Sequence, residues 1–460
     1  MSISTFMGIQ TSLRGLLAQQ RALDVTNHNV ANANTEGYTR QEAVLGTTSP
    51  LAIPAGALNG NGSLLGTGVD VMSYQRVRDQ FLDLQYRGQN MSLGDKSARS
   101  NSLQQVELAL AEPGTNGVSA ALERFWGAFG DLSNAPENPA ARQAVIDKAR
   151  ALADNINQLQ TGLSTAIAEA GAELTALTAS GGDIHRMAAD LAGTMKAIRD
   201  AELTGAQPND LYDRRDLLLD KLSEMGQVSV TASPAGGTDV ALGGVTIVDS
   251  DDTTGVPSVP AGAFPLTFPT SPGGRLGALA DLASPAGPLV AYQQSLDRVA
   301  QMLAGTAATT GATTVNDIYA RDNTGVAFFT YAAGPAGTPV LALNTAINTT
   351  TLSAGPGGPG ANQTALDIAA LRGGAVDKEY AQLVTTIGNA VADAKRQEAT
   401  AQVLTGNLKD RRESISGVSL DEEMTNLIRF QRAYQASARS MSTTDEMLDI
   451  LINRTGRVGL

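Results

Sequence analysis

Both ends of this chain carry an apolar stripe with the spacing of a helix that packs against another helix. Apolar side chains recur at steps of three, four or seven residues, as in a coiled coil. The N-terminal stripe consists of Phe6, Ile9, Leu13, Leu16, Leu23 and Val30, and the C-terminal stripe consists of Leu420, Met424, Leu427, Tyr434, Met441, Leu448 and Ile452. We therefore expect the first and last helices to form one coiled-coil unit.

Polar residues interrupt both stripes, and this bears on how stable such a unit is. Gln20 and Asn27 stand in the first stripe, and Gln431 and Asp445 in the second. Each apolar side chain contributes about 1.5–3 kcal/mol when fully buried, whereas ordering each backbone residue costs about 1–2 kcal/mol. An isolated pair is therefore predicted to be marginal, and stacking on further copies would supply the missing burial. The alternative is an ordinary amphipathic helix on the core of a monomer.

The composition excludes several classes of protein. The chain has 460 residues, more than the roughly 250–300 that one hydrophobic core serves, so two or more domains are expected. A net charge of −13 argues against nucleic acid and anionic membranes as partners. No apolar run is long enough for membrane insertion, and no Sec-type signal is expected. The lack of cysteine excludes disulfides and thiolate metal sites.

The order of elements predicts a mainly α fold with a β-rich insert, an α+β architecture. It combines discontinuous terminal coiled-coil helices, a helical-bundle stem and a protruding β domain. The expected domains are a terminal coiled coil (1–35 with 419–460), a helical stem (36–226 with 286–306 and 362–418) and a β-rich outer domain (227–285 with 307–361).

Local signals place several of these elements. Asn138-Pro139 predicts the start of a long helix, and Ser419 with Glu422 forms a capping box that starts the last helix. Within the insert, Val245–Val248 has the composition of a strand, and one helix is expected near Pro288–Gly305.

The residues offer no recognisable catalytic site. The chain has two histidines: His28 is expected to interact with a helix end, and His185 has neither His nor Cys nearby. The run Asp249–Asp252 begins like a calcium loop, but Pro260 stands where a bidentate glutamate is needed. We therefore predict no catalytic, cofactor-binding or metal-binding residue, no cofactor, and a protein that is not an enzyme.

A run of alternating charges lies near residue 213. Asp210, Asp213 and Asp216 recur at helical spacing, with Arg214 and Arg215 between them. Such a pattern usually marks a solvated, ion-paired helix face, and that is the interpretation we adopt from the sequence.

The first helix is followed by a turn rich in asparagine and glycine. Asn32, Asn34 and Gly37 tolerate positive φ and are predicted to end the helix and redirect the chain. The segment reads Asn32-Ala33-Asn34-Thr35-Glu36-Gly37-Tyr38-Thr39-Arg40-Gln41. It closely resembles the N-terminal signature of the flagellar rod, hook and hook-associated proteins, and the ending Tyr38-Thr39-Arg40-Gln41 resembles the hook–filament junction members.

The C-terminal helix carries a matching resemblance. The segments Gly417–Glu423 and Leu427–Arg439 are similar to the terminal helix of the same junction proteins. The likeness covers about 40 residues at each end and is highly specific, because the two motifs are long and paired. The β-rich insert resembles nothing that we can name.

The resemblance implies a secreted structural subunit, exported unfolded through the flagellar type III channel. It would form a ring of copies at the distal end of the hook and join hook to filament. The implied partners are further copies of itself, the hook protein, a second junction protein and a dedicated export chaperone on the C-terminal helix. The terminal helices would pair antiparallel and line the inner tube.

Two other interpretations stay open from the sequence. Within the same family, the chain could be a hook, rod or second junction protein, although the Tyr38–Gln41 ending and the large insert argue against this. Outside it, the chain could be a secreted hydrolase or adhesin on a coiled-coil stem. The missing catalytic constellation weakens the hydrolase, whereas an adhesin could reside in the insert.

Overall fold

A computed structural model describes residues 6–53, 63–234, 237–251, 254–305, 310–322, 325–333, 339–358 and 360–450. Most of these residues are helical. The helices are α1 (Met7–Asn32), α2 (Gln80–Leu110), α3 (Val118–Asn134), α4 (Pro139–Thr178), α5 (Asp183–Leu203), α6 (Asn209–Met225), α7 (Gly274–Ala283), α8 (Pro288–Ala304), α9 (Val315–Asp322), α10 (Gln363–Ala369), α11 (Ala375–Ser416) and α12 (Leu420–Asp449).

The strands pair in small antiparallel sheets. They are β1 (Gln41–Thr47), β2 (Leu51–Ile53), β3 (Ser63–Leu65), β4 (Val69–Arg76), β5 (Val228–Ala232), β6 (Thr238–Leu242), β7 (Val245–Ser250), β8 (Pro257–Ser258), β9 (Phe329–Ala333) and β10 (Pro339–Leu343). Strand β1 pairs with β4, β2 with β3 and β9 with β10, and β5 to β8 form one sheet in chain order. The predicted fold class, mainly α with a β-containing insert, is confirmed.

Side-chain caps set the predicted helix starts. The Asn138 side chain accepts a hydrogen bond from the Ala140 backbone N–H at 2.9 Å, and Pro139 occupies the first turn of α4. The Ser419 side chain accepts from the Glu422 N–H at 3.5 Å and starts α12. Both helix starts predicted from the sequence are therefore confirmed.

One continuous hydrophobic core runs through the middle of the chain. Among the described residues, its buried members begin at Leu103 and end at Ala394. Its densest part is an aromatic cluster in which Phe125 contacts Trp126, Phe129 and Phe329, with ring centroids 4.9–5.6 Å apart. Because α3 supplies three of these rings and the insert supplies the fourth, the insert shares its core with the helices.

The insert contains more helix than the sequence analysis predicted. Besides Pro288–Ala304, helices form at Gly274–Ala283 and Val315–Asp322. Leu276 and Leu279 are buried on one face of α7, which packs against α2 and α4. The three-residue spacing of these leucines was a usable signal, but the surrounding glycine and proline concealed it.

The two chain ends form a second region, which we call the terminal unit: α1, α12 and the ribbon of β1 and β4. We call residues 80–416 the body. Helix α1 contacts α12 along its length and also contacts both strands of the ribbon. In the described ranges, no helix combines the length and the apolar character needed to cross a membrane.

Candidate functional site

Helices α1 and α12 pair antiparallel through small side chains. The Ser12 and Ser440 hydroxyls lie 3.1 Å apart. A Cβ added to Gly15 would lie 3.2 Å from the Ser437 Oγ. One turn nearer the N-terminus of α1 than Ser12, a Cβ added to Gly8 would lie 3.1 Å from the Thr444 methyl group. In these first turns of α1 the two helices therefore meet through small side chains and hydroxyl contacts.

The stripe residues divide into three groups by burial. Seven are half-buried, Leu448 is buried and four are exposed, whereas Ile452 lies outside the described residues. The half-buried ones are Ile9, Leu16, Leu23, Val30, Leu427, Tyr434 and Met441, and the exposed ones are Phe6, Leu13, Leu420 and Met424. The structure thus brings most of the C-terminal stripe toward α1, but it leaves part of the N-terminal stripe in solvent.

Three apolar side chains of α1 and its start face away from α12. Phe6, Leu13 and Leu17 are 54%, 40% and 42% exposed. At 3.6 residues per turn they share one line along α1, on the other side of the helix from the buried Ala18 and Ala22. An apolar face that the chain itself leaves uncovered is suited to contact with another molecule.

Helix α12 has a similar exposed line near its start. Leu420, Met424 and Ile428 follow one another at four-residue spacing and are 52%, 50% and 47% exposed. The terminal unit therefore presents apolar side chains on both of its helices.

The ribbon covers a third side of α1. The Arg21 guanidinium lies 3.0 Å from the Asp70 carboxylate, and the Arg14 guanidinium donates to the Thr67 carbonyl at 3.1 Å. Helix α1 is therefore held between the ribbon and α12. The sequence gives no sign of this contact, because a short strand does not show which helix it will cover.

The turn after α1 is shaped by one glycine. Gly37 has φ of +80°, and in the described part of the turn neither Asn32 nor Asn34 takes a positive φ. Asn32 is the last residue of α1, where its side chain donates to the His28 carbonyl at 3.1 Å. Asn34 is exposed. In this turn the left-handed backbone conformation is therefore needed at Gly37 and not at the two asparagines.

Asn29, which the sequence analysis did not single out, holds the turn together. Its Oδ1 accepts from the Tyr38 hydroxyl at 2.8 Å and from the Gln41 N–H at 3.0 Å, and its Nδ2 donates to the Gln41 carbonyl at 2.9 Å. The residue is buried on the inner face of α1 with Ala22 and Thr26. The sequence signal for this role was a polar residue, Asn29, on the face of α1 that otherwise carries small residues.

The end of the motif connects the turn to its surroundings. The Arg40 guanidinium bonds the Glu422 carboxylate in α12, and the Arg40 backbone N–H donates to the Ser416 carbonyl at 2.8 Å. The Gln41 side chain donates to the Asp210 carboxylate at 2.9 Å. Arg40 and Gln41 therefore tie α1 to α12 and to α6.

Two titratable groups at this turn are shifted by burial. Burial, with the nearby charges of Asp210 and Asp213, raises the pKa of Tyr38. Burial also raises the pKa of Glu423, although a hydrogen bond from Asn29 acts in the opposite direction. The His28 ring lies between the Tyr38 hydroxyl, 3.1 Å from Nδ1, and the Asp210 carboxylate, 3.6 Å from Nε2.

The run of aspartates on α6 corrects the expectation of a solvated face. Asp213 and Asp216 are only 6% and 5% exposed, so this face is ion-paired but buried. The sequence pattern could not show this, because most of the matching arginines lie far away in the chain: Arg76 in β4, Arg78 just before α2 and Arg87 in α2. Asp210, by contrast, has a largely exposed side chain.

These aspartates belong to a buried ion-pair cluster that we call the joint. It contains four carboxylates and four guanidiniums, from Asp83, Asp213, Asp216, Asp220, Arg76, Arg78, Arg87 and Arg412. The Arg76 Nη1 donates to Asp213 and to Asp216 at 2.9 Å each. Arg412 reaches Asp220 at 2.5 Å and stacks 4.1 Å over the Tyr86 ring. The joint thus links β4, α2, α6 and α11.

The neighbouring carboxylates of the joint are shifted in opposite directions. Burial tends to raise the pKa of Asp216, but the charges of Arg78, Arg215 and Arg76 outweigh it and hold that pKa below its ordinary value. Burial raises the pKa of Asp213, and the bonds from Arg76 and Thr39 offset this only in part. Among the described residues, no group of three or more His, Asp or Glu is placed to hold a metal ion.

Comparisons with known families match both ends and the middle of the chain. Residues 9–39 match the flagella basal body rod protein family, and residues 412–454 match the flagellar basal body rod FlgEFG protein C-terminal family. Residues 103–329 match the helical domain of the flagellar hook-associated protein FlgK. The first two matches cover nearly all of α1 with its turn and all of α12.

Relatives along the whole chain decide the assignment. Flagellar hook-associated protein 1 of Bacillus subtilis is 32% identical over 98% of this chain and 99% of its own length. The chain belongs to the flagellar hook-associated protein 1 family. The Escherichia coli hook-associated protein 1 is 26% identical over 97% of this chain and 99% of its own length.

One solved structure also matches in part. The flagellar hook junction protein FlgK of Burkholderia pseudomallei is 21% identical, with a TM-score of 0.42 over 54% of this chain and 47% of that one. The assignment does not depend on it. As a hook-associated protein 1 relative, the chain is a structural component of the bacterial flagellum, and the family resemblance inferred from the turn and the last helix is confirmed.

Proposed function

We propose that this protein polymerises at the distal end of the hook and joins the hook to the filament. The observation that carries the proposal is the uncovered apolar surface of the terminal unit, at Phe6, Leu13 and Leu17 on α1 and at Leu420 and Met424 on α12. Copies that stack through these side chains would bury them. Assembly and full ordering of the chain ends would then occur together.

The remaining partners follow from the same proposal. The protein contacts further copies of itself in a ring, the hook protein on one side and a second junction protein on the other. It leaves the cell through the flagellar export channel, and a dedicated chaperone covers α12 before export. The protein carries out no catalysis.

We also propose a three-part arrangement. Residues 1–35 with 419–460 line the inner tube, residues 36–226 with 286–306 and 362–418 form the next shell, and residues 227–285 with 307–361 face outward. The contact of the β1–β4 ribbon with α1 supports a next shell that begins directly against the inner helices.

Deletion of the gene tests the proposal directly. We expect intact hooks, no filaments, and unpolymerised flagellin in the medium, as seen by electron microscopy and immunoblotting. Filaments of ordinary number and length on the deletion strain would exclude a role at the junction.

A point substitution tests the stripe itself. Leu16→Asp, returned to the deletion strain, should leave the body folded and abolish incorporation, because full burial of a leucine contributes about 1.5–3 kcal/mol and a buried unpaired carboxylate adds a larger penalty. The readout is filament number per cell, with the exported variant measured in the medium. Leu108→Asp is the matched control, since Leu108 is 81% exposed on α2 of the body. Equal filament growth with both variants would contradict the assignment of the stripe.

A further inference from the structure

We propose that the joint sets the angle between the terminal unit and the body, so that its charged side chains are positioning residues for assembly. Arg76 is the last residue of β4 in the terminal unit. Its carboxylate partners, Asp213 and Asp216, stand on α6 of the body. The bonds of Arg76 therefore cross from one region to the other.

Two chain segments connect the regions, one after β4 and one before α12, and both lie beside the turn that follows α1. The Arg40 N–H donates to the Ser416 carbonyl at 2.8 Å, and the Val77 N–H donates to the Arg40 carbonyl at 2.8 Å. The Thr39 N–H donates to the Asp213 carboxylate at 3.0 Å. The segment after α1, the segment after β4 and the segment before α12 are thus bonded to one another and to α6.

The bonds of the joint have direction, which apolar packing lacks. The Arg78 guanidinium binds Asp83 through two nitrogens, Nε at 2.6 Å and Nη2 at 3.1 Å, and reaches Asp216 with a third at 3.0 Å. Arg87 holds Asp220 at 2.8 Å. A planar guanidinium in such a fork fixes both distance and orientation.

Stability alone does not explain a cluster of this kind. Buried ion pairs are often no more stabilising than apolar side chains of the same size, because both charges lose their hydration. Among the described residues, the buried hydrophobic core begins only at Leu103 and ends at Ala394. It therefore supplies no residue from the terminal unit. Directional polar bonds hold the angle instead: those of Arg76 in the joint, together with the hydrogen bonds that Gln41 and the Tyr74 carbonyl make with α6.

A fixed angle matters for assembly, and this consequence rests on the proposed function. Copies that meet through their terminal units must also fit through their bodies. A subunit whose two regions already stand at the required angle loses less conformational freedom on incorporation. The joint would act through this preorganisation, without itself touching another copy.

The chain has no cysteine, so spin labels attach only at cysteines that are introduced by substitution, and the distance between two labels reports the angle. Spin labels at Thr47→Cys on the ribbon and Leu108→Cys on α2 report the distance between the regions by double electron–electron resonance on the dispersed protein. We expect one narrow distance distribution for the parent and at least a twofold broader one for Asp216→Asn. Glu379→Gln, which breaks an exposed pair with Arg298 in the body, should leave the distribution unchanged.

The fluorescence of Trp126, buried in the core, shows in the same samples whether the body stays folded. If Asp216→Asn unfolds the body, Arg76→Gln removes the terminal unit's side of the bridge and should broaden the distance with the Trp126 signal unchanged. A broad distribution in the parent, or a narrow and unshifted one in folded Asp216→Asn and Arg76→Gln, would overturn the proposal. Since the dispersed protein is measured, this result does not depend on whether the junction role is correct.

In the deletion strain, Asp216→Asn should then give fewer filaments than Glu379→Gln at equal export. Equal filament numbers with a broadened distance would overturn the link between angle and assembly.

Discussion

The terminal unit and the body are both built on long helices, yet they bury different kinds of side chain. Helix α4 buries large aliphatic residues such as Leu152 and Leu163. The buried residues of α1 are small or polar: Ala18, Ala22, Thr26 and Asn29. Apolar burial stabilises a fold roughly in proportion to the area removed from water. We therefore expect the body to fold by itself, and under the proposed function the terminal unit gains its missing burial from further copies of the protein.

The comparison also shows where each region keeps its charges. The body pairs many of its charges at the surface, as in the exposed Arg372–Glu123 pair. The boundary between the regions instead holds charges that are buried and bonded to one another, such as Asp216. A boundary that contributes no residue to the hydrophobic core can still have its geometry defined by charge-assisted hydrogen bonds.

The largest expected difference between the two regions comes from removing one phenylalanine ring from each. Phe125→Ala should destabilise the body by about 3–5 kcal/mol, because it deletes a fully buried ring from the aromatic cluster. Phe6→Ala, the matched change in the terminal unit, should alter body stability by less than about 0.5 kcal/mol. Denaturant unfolding followed by Trp126 fluorescence measures both. Similar losses of unfolding free energy in the two variants would show that the two regions unfold as one cooperative unit.

Amide hydrogen exchange on the unassembled protein compares the local stability of the two regions along the chain. We expect amides of residues 8–17 in α1 to exchange at least about 100-fold faster than those of residues 152–163 in α4, because local stability follows local burial. Mass spectrometry of exchanged peptides gives the ratio. If both chain ends proved as protected as the body, they would be stable without other copies, and the driving force proposed for assembly would be absent.

The smallest expected effect concerns two adjacent glutamates. Burial raises the pKa of Glu423, so its ionised form at neutral pH disfavours the folded start of α12. This penalty shrinks as pH falls through the raised pKa. Glu423→Gln should therefore slow exchange at the start of α12 slightly at pH 7, and the difference from the parent should disappear on acidification.

Glu422→Gln is the control for that change. Glu422 has an exposed side chain that pairs with Arg40, so its neutralisation should speed exchange slightly at pH 7, by the amount typical of a surface pair, about 0.2–1 kcal/mol. Shifts of the same sign in both variants would contradict the different environments assigned to the two residues.

Much of the architecture could be predicted from the sequence because the signals were local. The caps at Asn138 and Ser419 depend on side chains within three residues of the helix start. The pairing of the chain ends followed from heptad spacing, which repeats within each helix. The helix at Gly274–Ala283 was missed because its flanking glycines and prolines resemble those of a loop.

The candidate site was only partly predictable, since its contacts join residues far apart in the chain. The stripes on α1 and α12 were found, but which of their side chains face inward was not. The Asp213–Arg76 and Arg412–Asp220 pairs connect segments that no local pattern relates. The same aspartate spacing would suit a solvated helix face, and only the position of the arginines distinguishes the two.

The sequence by itself determined that the chain ends are helices with apolar stripes and that the turn after Asn32 carries a family signature, because both properties are set by neighbouring residues. The tertiary structure alone decided that small residues such as Gly15 form the helix pair, that Leu13 and Leu17 stay in solvent, and that Asp216 is buried. The physical reason is that burial and charge pairing depend on which surfaces meet, and a periodic sequence pattern shows the face of a helix without showing what covers it.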